Sequence, residues 1–168
     1  LRNAHAFSSI WTDLLDKAPS DPVGLEVGPD STFMIQYTSG TTGTPKAVRL
    51  SHQAITTTAR NSYHLWGLGE GSRVCHGFPL FHVGGSGNSI PGAILNGATT
   101  LPLYIFKAAI ALDILEKEKC TAFIGVPTML IAMLDDPSIG DRSFDSLEKI
   151  IVGGAPVTTD LLERCQSI

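Results

Sequence analysis

Residues 74–106 read VCHGFPLFHVGGSGNSIPGAILNGATTLPLYIF, and the way this run is divided decides the fold. No Asp, Glu, Lys or Arg lies between Arg73 and Lys107. A charge-free run of that length raises the question of a membrane span. Pro79, Pro91 and Pro102, with Gly77, Gly84, Gly85, Gly87, Gly92 and Gly97, cut it into pieces too short for one spanning helix. The pieces read as buried elements of an α/β domain: a strand over 74–80, a helix over 83–95 weakened by its glycines, and a strand over 99–103.

The alternation continues toward the C-terminus. Residues 107–119 predict an amphipathic helix with Ala108, Ala111, Leu112 and Leu115 inward and Glu116, Lys117 and Lys119 outward. A strand follows over 121–125. A helix over 127–134 is opened by Pro127 in its first turn. Residues 135–146 read as a polar loop and 150–152 as a buried strand. A last helix, capped by Thr158 or Thr159, carries Leu161, Leu162 and Cys165. Strands separated by helices of these lengths make βαβ units, hence a parallel sheet with right-handed crossovers and helices on both faces. Ligands of such sheets bind beyond the carboxyl ends of the strands, so the residues after each strand are the ones to inspect.

Toward the N-terminus, Ser51 is placed to cap a helix running from His52 to about Trp66, with Ile55, Ala59, Ser62, Tyr63 and Trp66 on one face. Before it, the apolar run 33–37 and the short strand 47–50 flank the string YTSGTTGTPK of residues 37–46. This predicts a β-hairpin with a Ser/Thr/Gly loop at its tip. Gly40 and Gly43 let the backbone turn sharply and approach a ligand closely. Successive N–H groups can converge on an anion, the hydroxyls of Thr38, Ser39, Thr41, Thr42 and Thr44 add donors, and Lys46 adds a positive charge. These are the parts of a polyphosphate cradle. The spacing is neither that of a Walker A loop, which leads into a helix, nor that of the G-x-G-x-x-G dinucleotide fingerprint. On composition alone an ordinary surface loop would remain the default.

The lead-in, residues 1–32, predicts a short helix over 7–16 with Trp11, Leu14 and Leu15 on one face, then an irregular connector through Pro19, Pro22, Gly24, Gly28 and Pro29. The chain starts at Leu1 without Met or a signal-peptide pattern and stops at Ile168 inside a helical pattern, so both ends are expected to lie within a longer chain. The 168 residues are 43% hydrophobic with a net charge of −4, enough for one core and without the basic block that nucleic acid or an anionic membrane calls for. Cys75, Cys120 and Cys165 form no C-x-x-C pair. They read as reduced thiols of an intracellular protein, with the cytoplasm the expected compartment. His5, His52, His64 and His76 have no metal-ligand spacing and are expected at the surface or satisfied. Asp135, Asp136 and Asp141 read as a solvated acidic turn rather than a Mg²⁺ site.

The string Thr38–Lys46 closely resembles the phosphate-binding signature of the acyl- and aminoacyl-adenylate-forming superfamily, which includes acyl-CoA synthetases, nonribosomal-peptide adenylation domains and firefly-luciferase-like enzymes. Ala47 stands where that family most often has Gly. The segment PLFHVGG, residues 79–85, taken alone is an ordinary helix entry with a histidine bonded to backbone. It resembles the second core motif of the acyl-CoA synthetase branch, and the resemblance implies that Phe81, His82, Val83 and Gly84 line the acyl-carboxylate site and the path of the thiol. Peptide-synthetase domains usually carry an Asp near this place to hold an amino group. No acid occurs here, and a buried ammonium without a carboxylate is costly, so a plain carboxylic acid is the expected substrate. Gly153-Gly154-Ala155-Pro156, which a tight strand-to-helix turn would explain equally well, resembles the family's element lining the adenine and acyl pockets. Gly125-Val126-Pro127 ends a strand and could wall the acyl pocket, although a proline at a helix start is the simpler reading.

The fold expected is therefore α/β, a β-hairpin phosphate loop followed by βαβ units that form a mainly parallel sheet with helices on both faces. Residues 33–168 are expected to be part of an N-terminal AMP-binding domain. The resemblance implies ATP, Mg²⁺ and CoA: a carboxylate attacks the α-phosphate to give an acyl-adenylate, and a thiol then displaces AMP. The family's Mg²⁺-holding Glu, ribose-binding Asp, hinge and small C-terminal domain with its catalytic Lys map onto nothing in 1–168. This stretch alone is therefore expected to be inactive. The alternatives are a free-standing, non-catalytic module that binds a nucleotide or a partner, and a generic flavodoxin-like domain, which leaves the Thr38–Lys46 string unexplained.

Overall fold

A computed structural model describes residues 4–22, 24–38 and 44–167. After helix α1 (Ala4–Lys17), strands β1 (Thr32–Thr38) and β2 (Lys46–Ser51) pair antiparallel, with Thr38 opposite Lys46 at the loop end. This hairpin is a two-stranded sheet of its own. Helix α2 (His52–Leu65) follows β2 without a break. Ser51 makes that possible: its hydroxyl accepts the Ala54 N–H at 3.2 Å, satisfying one of the donors that a helix start leaves free.

The second sheet is built from β3 (Arg73–His76), β4 (Thr99–Pro102), β5 (Ala122–Gly125) and β6 (Lys149–Val152). All its pairings are parallel and the order is β4-β3-β5-β6, so β3 and β5 are central. Between the strands run α3 (Ile90–Asn96), α4 (Ala108–Lys117) and α5 (Pro127–Leu134), and α6 (Thr159–Gln166) closes the chain. Alternation along the central strands sends successive side chains to opposite faces. Cys75 and Phe123 go to one core with Leu112 and Leu115 of α4, Leu130 and Met133 of α5 and Leu161 of α6. Val74, Ala122 and Ile124 go to the other with Tyr63 of α2 and Ala93 of α3. Helices thus cover both faces, as the alternation predicts.

Several expectations are modified. The strand read as 74–80 ends at His76. Gly77 makes one more bond, N–H to the Ile124 carbonyl at 3.2 Å, and then Pro79, without an N–H, cannot extend the ladder. The helix read as 83–95 begins as a π-helical turn, Gly84–Ser89, and becomes α3 at Ile90. Close approach accounts for its glycines: a Cβ on Gly85 would lie 2.5 Å from the Pro79 carbonyl oxygen, and one on Gly92 would run into the Tyr63 ring. Trp11 of α1 is 63% exposed, and Leu14 and Leu15 beside it are exposed too. His76 is neither at the surface nor satisfied: it is fully buried, and neither ring nitrogen has a hydrogen-bond partner. The acidic loop is a set of turns. Asp136 accepts from the Ser138 hydroxyl at 2.6 Å and from its N–H at 3.0 Å, and Arg142 pairs with Asp113 at 2.6 Å. Among the described residues no helix is long and apolar enough to cross a membrane.

Candidate functional site

The chain leaves the carboxyl end of β3 through Phe78-Pro79-Leu80-Phe81-His82 and re-enters helix at Gly84. This exit brings the segments around His82 and Gly154 to one cavity with the start of α2. The His82 N–H donates to the Pro79 carbonyl at 3.0 Å, closing the turn. The His82 Nδ1 then accepts the Gly84 N–H at 3.0 Å. With Nδ1 accepting, the neutral ring carries its proton on Nε2, and that N–H is left as a donor. The ring lies over Phe78, centroids 6.4 Å apart at 30°, and Phe78 lies 6.5 Å from the ring of His76. Three rings therefore run in a row from the sheet interior to the surface.

His82 opens on a cavity of about 350 Å³, within the range of small-molecule sites. Leu50 of β2 and Ala54, Ile55 and Thr58 of α2 form one wall, and Phe78, Val83, Gly84, Gly87 and Asn88 form another. Gly154, after β6, completes it. Gly154 has a φ of +84°, a conformation in which a side chain would be strained. Beside it, a Cβ on Gly153 would meet nothing within 4 Å, so the backbone there is open to a flat group. No carboxylate lines the cavity.

The predicted site residues thus divide. His82, Val83, Gly84 and Gly154 share the cavity. Phe81 belongs to the same turn but points outward, 84% exposed, and lines a separate apolar groove with Leu80, Tyr104 and Ile105. Gly153, Ala155 and Pro156 are exposed beside Gly154. Thr38, Thr44 and Lys46 are exposed at the loop end of the hairpin, and Lys46 has no carboxylate partner among the described residues. Ser39, Gly40, Thr41, Thr42 and Gly43 lie outside the described residues. Val126, of the weaker wall candidate, is within 3.5 Å of a Cβ placed on Gly154, while Gly125 and Pro127 are buried. Sequence reasoning missed Ala54, Ile55, Thr58 and Asn88. Ala54 and Thr58 look like helix surface, and Ile55 like plain packing, until the segment after β3 and Gly154 are placed against α2. Asn88 carried a signal, being the single amide in the charge-free run before Asn96.

Burial pushes the His76 pKa down to about 4, so this ring is neutral near neutral pH. Burial also raises the Tyr63 hydroxyl well above its usual range, and that hydroxyl donates to the Ser89 carbonyl at 2.8 Å. This bond holds the π-helical turn against α2.

Residues 4–168 match the sequence model of a family described as AMP-binding enzyme. A feruloyl-CoA synthase from Amycolatopsis is 35% identical over 89% of this chain and 30% of its own length. An indoleacetate–CoA ligase from Aromatoleum aromaticum is 37% identical over 89% of this chain and 29% of its own. Among solved structures, the o-succinylbenzoate CoA synthetase of Bacillus subtilis, in complex with ATP and magnesium ion, superposes with a TM-score of 0.77 at 29% identity, over 92% of this chain and 32% of that one. The chain thus spans about 30% of the length of the curated relatives it matches.

Proposed function

Because this chain belongs to the AMP-binding enzyme family, we propose that it is the phosphate-loop and acyl-site part of an ATP-dependent carboxylic acid–CoA ligase. One observation carries the reading: His82 and Gly154 line a single, mostly apolar cavity together with Leu50 of β2 and the first turns of α2. The names of the similar CoA ligase and CoA synthase agree with it.

In this reading the loop over residues 38–46 holds the β- and γ-phosphates of ATP, with Thr38, Ser39, Gly40, Thr41, Thr42, Gly43 and Thr44 supplying N–H and hydroxyl donors and Lys46 the charge. Donors aimed at the leaving pyrophosphate stabilise the charge it gains. The adenine lies against Gly153–Pro156. The acid enters the cavity among Leu50, Ala54, Ile55 and Val83, and the Nε2–H of His82 holds one carboxylate oxygen. The other oxygen attacks the α-phosphorus, a new O–P bond forms, the bond to the β-phosphate oxygen breaks, and pyrophosphate leaves. The sulfur of CoA then attacks the acyl carbon and AMP departs with the electron pair. The absence of any carboxylate from the cavity wall disfavours an amino acid substrate. It also means that no described residue there would hold Mg²⁺, whose ligand is expected elsewhere in the polypeptide.

The test is acid-dependent ATP–pyrophosphate exchange by the full-length protein that carries this chain, followed by thioester formation when CoA is added. Exchange that needs no acid, or none with any acid, refutes the reading. Residues 1–168 alone are expected to form no thioester. Detecting one from the purified piece overturns that part.

A further inference from the structure

Helix α2 lines the cavity near its start and grips the opposite wall near its end. Ile55, Ala59 and Tyr63 follow one another at helical spacing and are buried on one face. Ile55 lines the cavity. Tyr63, roughly 12 Å further along the helix at about 1.5 Å per residue, does not. Its hydroxyl instead reaches the π-helical turn and donates to the Ser89 carbonyl at 2.8 Å. Among the described residues this is the one hydrogen bond between α2 and that turn. The turn depends on such anchors, because Gly84, Gly85 and Gly87 give it no preferred conformation of its own. At its start the His82 carbonyl accepts the Gly85 N–H at 3.0 Å, the Ser86 N–H at 3.1 Å and the Ser86 hydroxyl at 3.1 Å. The Ile90 N–H then donates to the Gly85 carbonyl, closing the wide turn. At its end stands Tyr63. The register held in this way is not one that the turn's side chains select for themselves. It leaves the Asn88 Oδ1 sealed from solvent without a partner, a cost that the anchors must offset.

We infer that Tyr63 is a positioning residue for the acid: without touching the cavity, its hydroxyl holds the π-helical turn, through the Ser89 carbonyl, in the register that gives the cavity its second wall. This rests on the cavity being the acyl site. Ala54, Ile55 and Thr58 make one wall, and Val83, Gly84, Gly87 and Asn88, in or next to the turn, face them. One rigid helix therefore supplies the first wall and ties down the second, so the width between them is set by the bond at Ser89. Removing the hydroxyl leaves the turn anchored at one end only. The second wall can then shift, and an acid is held less closely, while the hairpin that carries the phosphate loop is untouched.

The experiment is Tyr63→Phe in the full-length protein, which keeps the buried ring and leaves no unpaired donor. ATP–pyrophosphate exchange is measured with straight-chain, phenyl-substituted and diphenyl-substituted carboxylic acids. For the acid that the wild type uses best, the KM is expected to rise ~10-fold, with the KM for ATP within about twofold of the wild type. The spread of kcat/KM across the acids should narrow, because a wall that can move discriminates less by shape. A variant with a lower urea midpoint but the same acid KM and the same spread shows a bond that only stabilises, and overturns the inference. An equal rise in both KM values overturns it too, and either result leaves the ligase reading standing. Failure of every acid to support exchange by the wild type overturns both. Should Tyr63→Phe not fold, Gly92→Ala, whose added methyl displaces the same ring, decides in its place. It is expected to raise the acid KM and narrow the spread, and unchanged values in it overturn the inference.

Discussion

The side-chain amide of Gln36 donates to the main-chain carbonyl of Phe81 at 3.1 Å, across 45 residues of sequence. Gln36 lies two residues before the loop end of β1, and Phe81 directly precedes His82. Among the described residues this is the one hydrogen bond joining the hairpin to the segment between β3 and α3. It ties the loop end of the hairpin to the residue before His82. Gln36→Leu is therefore expected to lower kcat for adenylation by ~3–10-fold while moving the KM for ATP less than twofold, since a net hydrogen bond contributes about 1 kcal/mol. Glu at this position has no N–H to donate and should behave like Leu. Rapid-quench measurement of adenylate formation separates this from a plain loss of stability.

Lys46→Ala removes an exposed charge that has no partner among the described residues, so the melting temperature should stay close to that of the wild type. The KM for ATP is expected to rise ~10-fold or more, the scale of a lost charge-assisted hydrogen bond. His82→Ala should show the converse pattern, with acid KM and the thioester step affected and ATP KM within about twofold. Steady-state kinetics with each substrate varied in turn gives the answer, and unchanged ATP kinetics in Lys46→Ala would remove Lys46 from the phosphate site.

The buried His76 predicts a pH dependence of stability. Its folded pKa of about 4 lies below the ordinary 6.5, so between these values the unfolded chain binds a proton that the folded chain refuses. The contribution is fully present above about pH 6.5 and is lost as pH falls toward 4, by up to ~3 kcal/mol. Urea unfolding from pH 7 down to 4 should show this slope in the wild type and a smaller one in His76→Phe. Parallel slopes for the two proteins would contradict the assignment.

Gly92→Ala places a methyl group in the ring of Tyr63, where α2 and α3 meet. Either the helices part or the Tyr63 hydroxyl leaves the Ser89 carbonyl. A loss of ~1–3 kcal/mol in urea unfolding is expected. Gly140→Ala, with nothing within 4 Å of the added carbon, serves as the control and should shift stability little.

What could be read from the sequence was what local chemistry dictates. Ser51, Pro127 and Thr158 mark helix starts through capping and fixed φ, and α2, α5 and α6 begin where they indicate. The alternation of strands and helices gave the parallel sheet and its two covered faces. The π-helical turn was not legible, because Gly84, Gly85 and Gly87 carry no propensity of their own. Their conformation is set by the Pro79 carbonyl, Val83 and Ile55, which approach only once the chain has folded. The same holds for the site. Resemblance to family motifs picks out His82 and Gly154, whereas Ala54, Thr58 and Asn88 line the same cavity through the docking of α2 on the segment after β3. Burial of His76 escaped notice because one histidine in an apolar run looks the same whether its nitrogens are paired or not.

The position of β3 in the middle of the sheet has a consequence for a chain emerging from the ribosome. Its Arg73 N–H is received by the Thr121 hydroxyl, 48 residues on, and its far edge pairs with β5 only when that strand arrives. At ~5–20 residues per second, roughly 2–10 s of translation pass between the two strands. During that time β3 can already pair with β4 and lay Val74 against Tyr63 of α2, but its β5 edge stays open and Cys75 lacks the Phe123 side of its core.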